Sequence, residues 1–161
     1  MSIRVALPKD TYVISSLYFE WLNFGDLEGR IKEIKKAIRA KELLVAVDLE
    51  RDEPVGFIQG MLSNDPISSG PIMYIASFYL KKEFRRLGIG SKLLASLLKR
   101  SLKLGAVGVE VATAQRPAFK LYEKFGFSRY HADFGERMLG LDLNKNVRKR
   151  RKKSVQSLPE I

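Results

Sequence analysis

Apolar residues recur along the chain with two rhythms, one near period 2 and one near 3.6, and their order predicts an α/β fold. Ile3–Leu7 reads as a short strand that ends at Pro8. Asp10 stands where it caps a helix reaching about Leu22, and Asn23 and Gly25 break that helix. Asp26 caps a second helix, in which Leu27, Ile31, Ile34 and Ile38 form the apolar stripe and lysines and arginines fill the other face. Leu43–Leu49 and Val55–Leu62 are apolar and β-branched, and Glu50-Arg51-Asp52-Glu53-Pro54 between them signals a hairpin. A loop rich in Asn, Pro, Ser and Gly covers Ser63–Pro71, Ile72–Leu80 is another strand, and a basic loop follows. The clearest helix is Ser91–Leu104: Leu93, Leu94, Leu97, Leu98 and Leu102 form its buried stripe and Gly105 stops it. Val107–Thr113 is a strand, Pro117–Phe125 a short helix, and Phe127–Asp133 with Met138–Leu143 a closing pair of strands. The order βααβββαβαββ mixes hairpins with crossovers and predicts one mixed sheet with helices on both faces.

Composition narrows the chemistry. With 161 residues, 45% of them hydrophobic, the chain can bury a core of its own. No apolar run approaches the roughly 20 residues that cross a bilayer, so no membrane partner is expected. Met1-Ser2-Ile3-Arg4-Val5 lacks a signal peptide's apolar stretch, and a cytoplasmic location is expected. The absence of cysteine removes disulfides, a thiolate nucleophile and thiolate metal sites. His131 is the single imidazole, so a structural zinc site is not expected and a serine–histidine hydrolase would depend on that residue alone.

Charge is uneven. From Asn144 onward seven basic residues and one acid give +6 of the total +11, leaving +5 for residues 1–143. The run Arg148-Lys149-Arg150-Arg151-Lys152-Lys153 is too self-repulsive to pack and reads as a disordered tail on a single domain spanning 1–143. A nucleic-acid or ribosome contact through that tail is the minority reading.

One loop stands out for chemistry. Phe84-Arg85-Arg86-Leu87-Gly88-Ile89-Gly90-Ser91 joins a strand to the leucine-rich helix, with Lys81, Lys82 and Lys92 nearby. Two glycines admit a close backbone approach, and the helix start offers free N–H groups and a positive dipole end. Such a constellation suits a pyrophosphate, although a tight turn with solvated arginines would look the same. A P-loop needs G-x-x-x-x-G-K-[ST], which Gly88-Ile89-Gly90-Ser91-Lys92 does not supply. A dinucleotide fingerprint needs a third glycine where Leu93 stands, directly after a strand, and here Lys81–Leu87 intervenes.

Arg85-x-x-Gly88-x-Gly90 resembles instead the [QR]-x-x-G-x-[GA] loop of the GCN5-related N-acetyltransferases (GNAT). Phe78-Tyr79-Leu80 upstream looks like that family's strand end, and Ala118-Phe119-Lys120-Leu121-Tyr122-Glu123-Lys124-Phe125-Gly126-Phe127 resembles its A-x-x-L-Y-x-K-x-G-F segment. The resemblance implies a mostly antiparallel sheet of six to seven strands with a splayed central parallel pair. It implies acetyl-CoA as cosubstrate, no metal, and direct transfer of the acetyl group to a primary amine in a ternary complex. Phe78, Tyr79 and Leu80 would pair with the pantetheine arm, and Arg85, Arg86, Leu87, Gly88, Ile89, Gly90 and Ser91 would cradle the diphosphate. Gln115 stands where the family usually has asparagine against the pantetheine.

By the same resemblance Tyr122 is the acid that protonates the leaving thiolate. Glu110 is the candidate base: Val107, Val109 and Val111 share one strand face and it lies on the other. A carboxylate there needs a partner or a substrate, so an ion pair at the sheet rim is the competing role. Glu20 and a water relay are alternative bases. The acceptor is expected to be held by the segment between the first two helices and by the last hairpin, with Tyr18, Trp21, Phe24, Asp133 and Glu136 as candidates, although core or lid packing suits the aromatics better. His131 reads as a surface residue near that cleft. The acceptor is left open between a protein N-terminus and a small-molecule amine, as is a homodimer. A non-catalytic acetyl-CoA sensor is the rival function.

Overall fold

The computed structural model describes residues 1–65, 68, 70–113, 116–129 and 137–143. The expectations placed on Gln115, His131, Asp133, Glu136 and the tail 144–161 lie outside the described residues. Eleven elements follow in chain order: β1 (Ser2–Val5), α1 (Thr11–Leu22), α2 (Leu27–Arg39), β2 (Leu43–Asp48), β3 (Glu53–Asp65), β4 (Gly70–Leu80), α3 (Ile89–Lys103), β5 (Gly108–Thr113), α4 (Arg116–Lys124), β6 (Ser128–Arg129) and β7 (Arg137–Asp142). The strands stand in the order β1-β2-β3-β4-β5-β7-β6. Pairs β1–β2, β2–β3, β5–β7 and β6–β7 are antiparallel, and β4–β5 is parallel. This is the mixed sheet expected from the element order, mostly antiparallel as the resemblance implies. Strands β3 and β4 outrun their predicted ends and narrow the expected loop to the stretch between Asp65 and Gly70.

The chain divides into two compact units. The first comprises Met1–Met61 and Ile75–Arg100. In it β1 pairs with β2 from Ser2↔Val47 to Val5↔Leu44, and β2 with β3 from Leu43↔Gln59. Period 2 puts Leu43, Val45 and Val47 on one face, where they meet Phe57 and Tyr79. Helices α1 and α2 add Ile14, Leu17, Ile34, Ala37 and Ile38 to the same core. Phe57 is fully buried, and its loss would cost about 3–5 kcal/mol.

The caps differ. Asp26 accepts from the N–H groups of Glu28 and Gly29 at 3.3 and 2.7 Å, the cap expected for α2. Asp10 precedes α1 without capping it through its side chain. A 3-10 turn over Pro8–Asp10 comes first, and its carboxylate accepts from Leu7 N–H at 2.7 Å and from both terminal nitrogens of Arg4 at 2.6 and 2.9 Å.

Two stripe residues are exposed. Leu27 is in register with Ile34 but sits in the first turn of α2, before its stripe meets the core, and stays 54% exposed. In α3 the buried stripe is Leu93, Leu94, Leu97 and Ser101, which fills the position one turn beyond Leu97; Leu102, a further 100° around the helix, is 57% exposed.

The second unit comprises the described residues of Leu62–Tyr74 and Ser101–Ile161. Val107 N–H donates to the Pro71 carbonyl at 2.8 Å and Leu143 N–H to the Val107 carbonyl at 3.0 Å, fixing the approach to β5 between β4 and β7. Val109, Val111 and Leu139 are buried along the β5–β7 pair, and Phe119, Tyr122 and Phe127 are buried around α4. Helix α4 closes with Phe125 and Phe127 N–H groups on the Tyr122 carbonyl, at 3.0 and 3.1 Å.

Candidate functional site

The loop before α3 is shaped by backbone conformation. Arg86 and Gly88 both take left-handed φ, +64° and +77°. A Cβ built on Gly88 would meet nothing within 4 Å, so the turn opens onto free space. Helix α3 starts at Ile89, two residues earlier than the leucine pattern predicts, and its first bond runs from Lys92 N–H to the Gly88 carbonyl at 3.1 Å. The N–H groups of Ile89, Gly90 and Ser91 therefore have no acceptor within the helix. Ile89 is buried and anchors the turn, while Arg86, Leu87 and Gly88 are exposed. An open glycine turn, three N-terminal amides and neighbouring Arg86 and Lys92 fit a diphosphate.

Arg85 faces another way. Its Nε donates to the Leu80 carbonyl at 2.8 Å, and its guanidinium lies 5.6 Å from the Tyr79 ring centre. The side chain thus ties the loop to the end of β4. Leu80 is half-buried and Tyr79 buried, with Phe78 half-buried before them. The Tyr79 hydroxyl donates to Glu20 Oε1 on α1 at 2.7 Å. Burial first, and then Glu20, pushes the Tyr79 phenol up to about 12.

Beside this strand end lies a polar network with no motif behind it. The Tyr18 and Ser77 hydroxyls bond to one another and lie 3.2 and 3.3 Å from Gln59 Oε1, which accepts the proton of one of them. Gln59 Nε2 donates in turn to Glu42 at 3.2 Å. Burial raises the Tyr18 phenol. Of these, Tyr18, Gln59 and Glu42 border a cavity of about 510 Å³ in the first unit, lined also by Arg30, Leu43 and Met61. Gln59 and Ser77 interrupt otherwise apolar strands, which was the available signal. Tyr18 and Trp21 pack on the core, whereas Phe24 is exposed.

In the second unit Tyr122 is 2% exposed, its ring 5.2 Å from that of Phe127, and burial raises its phenol well above the usual value. It stays protonated at any physiological pH. Glu110 lies half-buried in β5 opposite Gly140 in β7, so no side chain faces it from that partner position.

Residues 10–127 match the family described as Acetyltransferase (GNAT) family. An uncharacterized N-acetyltransferase of Bacillus subtilis (strain 168), YhfO, is 26% identical over 133 residues, covering 79% of this chain and 89% of that protein. The structure of the NatC complex bound to Gag peptide and CoA matches with a TM-score of 0.77 at 18% identity, covering 89% of this chain and 98% of that one. Arabidopsis thaliana NAA60 in complex with acetyl-CoA matches with 0.74 at 16% identity and the same coverages. The mixed α/β sheet is the fold these acetyltransferase structures share. The chain belongs to the acetyltransferase (GNAT) family and is an acetyl-CoA-dependent acetyltransferase.

Proposed function

We propose that residues 1–143 move the acetyl group of acetyl-CoA directly onto a primary amine, a protein N-terminus or a small molecule, in a ternary complex. The observation that carries this reading is the turn at Gly88, open above its left-handed backbone and followed by the amides of Ile89, Gly90 and Ser91. Those amides hold the diphosphate, with Arg86 and Lys92 adding charge. The end of β4, Phe78–Leu80, offers backbone partners to the pantetheine amides, much as an added strand would. Arg85 keeps that strand end and the loop in register through Leu80.

Attack on a thioester needs a neutral amine, and an alkyl ammonium has a pKa of about 10.4, so a proton must leave. Glu110 is the group assigned to take it. Tyr122 serves the leaving sulfur. Its raised pKa makes full loss of its proton uphill towards a thiolate whose own pKa is about 8.5. Its role is therefore a hydrogen bond to the sulfur as charge develops, with the proton from the amine completing the thiol. The likeness to an N-acetyltransferase and to folds bound to CoA, acetyl-CoA and peptide supports the amine as acceptor.

The test is thiol release from acetyl-CoA across a panel of N-terminal peptides, amino acids and polyamines. Release with at least one amine is expected. Binding of acetyl-CoA with no release for any amine would mark a sensor and sink the reading. Glu110→Gln should shift the pH profile upward, and an unmoved profile assigns the base to another group or to water.

A further inference from the structure

The end of β4 rests on a gap in its neighbour. Strands β3 and β4 are adjacent in the sheet. The β2–β3 register shifts between Ala46↔Gly56 and Val47↔Pro54, which leaves Val55 as the extra residue of a bulge. The Val55 carbonyl accepts from Lys81 N–H at 3.0 Å, so the bulge meets the strand end directly. Beside it Gly56 is buried. A Cβ built there would stand 2.6 Å from Leu80 Cδ1, 2.7 Å from the Tyr79 carbonyl oxygen and 3.1 Å from Leu80 Cα. The leucine side chain can turn away, but the other two contacts are main chain. Gly56 has no left-handed φ, so alanine suits its own backbone and acts only through what its methyl group touches. Alanine is ordinarily the more stable residue inside a strand, and here Tyr79 and Leu80 oppose it.

The opposite face of the strand end is fastened to α1. By period 2, Ser77 and Tyr79 point away from the face that carries Leu80. The Ser77 hydroxyl bonds to that of Tyr18, and the Tyr79 hydroxyl donates to Glu20 Oε1 at 2.7 Å. Trp21 stacks on the Tyr79 ring with the centres 6.0 Å apart. One stretch of helix therefore grips two alternate residues of the strand, and Phe78 lies between them. Hydrogen bonds weaken steeply away from their preferred geometry, so the main chain that offers partners to the pantetheine amides has little room to shift.

We propose that Gly56 and Ser77 are positioning residues for the coenzyme arm: the missing Cβ on one face and the hydroxyl on the other set where the main chain of Phe78–Leu80 stands. Neither side chain has to touch the ligand. The inference rests on the strand-end assignment above and deepens it. Affinity for the pantetheine part is set from β3 and α1, whereas affinity for the diphosphate is set by the glycine loop.

Titration calorimetry on the full chain separates the two parts by comparing CoA with 3′-phospho-ADP, the same nucleotide diphosphate without the arm. The parent should bind CoA at least tenfold more tightly. Gly56→Ala should weaken CoA at least fivefold and 3′-phospho-ADP by less than twofold. Ser77→Ala adds no atom to the core and should weaken CoA at least threefold, again with less than twofold on 3′-phospho-ADP; it decides the matter if Gly56→Ala does not fold. Melting temperatures are read alongside, since a merely structural role lowers them and leaves the ratio of the two dissociation constants unmoved. A ratio within twofold of the parent's in either folded variant overturns the proposal and leaves the strand-end assignment intact. A parent that binds both ligands alike removes the arm from β4, and the positioning role falls with it.

Discussion

The Tyr79 hydroxyl donates a 2.7 Å hydrogen bond to Glu20 Oε1, joining β4 to α1 across 59 residues of sequence. Glu20 therefore has one carboxylate oxygen committed, which weakens it as the base. Tyr79→Phe should leave the acidic limb of kcat/KM unmoved and lower stability by about 1 kcal/mol, below the usual range for a bond to a charged acceptor because Glu20 is exposed. The sign at high pH follows from the folded value of about 12 against about 10 in the unfolded chain. Tyr79's contribution is complete below pH 10 and is lost as pH rises from about 10 to 12. Tyr18 and Tyr122, also raised by burial, act in the same direction. Urea midpoints should hold from pH 7 to 9, then fall, less steeply in the variant. An identical alkaline slope in both proteins would remove Tyr79 from this role.

Gly88 and Gly105 form a matched pair. Their φ angles are +77° and +78°, and a Cβ on either would meet nothing within 4 Å. Alanine at either site costs the same left-handed strain, roughly 1 kcal/mol of stability. Only Gly88→Ala puts a methyl group into the space assigned to the diphosphate. Its dissociation constant for CoA should rise tenfold or more, against less than twofold for Gly105→Ala. Equal effects on CoA binding would mean that the loop does not hold the coenzyme.

What the sequence disclosed followed the range of the interaction. The apolar stripe of α3 and the Asp26 cap are set within a turn or two of helix, and both were readable. Ser101 is fully buried one turn beyond Leu97 while Leu102 is exposed, because helix phase sets the buried face, and hydrophobicity alone does not register that. Asp10 looked like a helix cap because its choice between a helix N–H and Arg4 depends on where β1 ends. The glycine loop was legible as a local motif, whereas the cavity is assembled from Tyr18, Arg30, Glu42 and Gln59, residues at no fixed spacing. Arg85 had the right identity for a diphosphate ligand, yet its Nε is turned onto Leu80, a choice of rotamer that sequence does not encode.

Tyr122 sits in the core of the second unit with its phenol raised by burial, so it is protonated throughout the range in which the enzyme would be assayed. Tyr122→Phe keeps the ring and removes the donor. The dissociation constant for acetyl-CoA should stay within twofold, while kcat falls by about 10²-fold, the lower range for loss of a positioned donor in the transition state. Because the phenol does not titrate below pH 10, the variant's pH profile should keep the shape of the parent's. Steady-state rates from pH 6 to 9.5 check both points, and an unchanged kcat would exclude the tyrosine from the chemistry.

Asp10 is the residue through which acid should act on the fold. It is 2% exposed, and burial alone would raise its carboxyl. The hydrogen bonds from Arg4 and Leu7 N–H, with the charges of Arg4 and Lys9, outweigh that and hold it below the ordinary value. A depressed folded pKa gives stability that is present above the unfolded value of about 3.9 and lost as pH falls through the folded one. At pH 7, Asp10→Asn leaves Arg4 without its carboxylate. This should cost about 3 kcal/mol, the low end for breaking a buried pair because Arg4 is partly exposed, or roughly 6–12 °C of melting temperature. As pH falls below about 4 the parent begins to lose this advantage, so the gap between the two unfolding free energies should narrow. Chemical unfolding at pH 7 and at pH 3 measures the gap directly, and a gap that stays constant between them would assign the effect of the substitution to packing instead of charge.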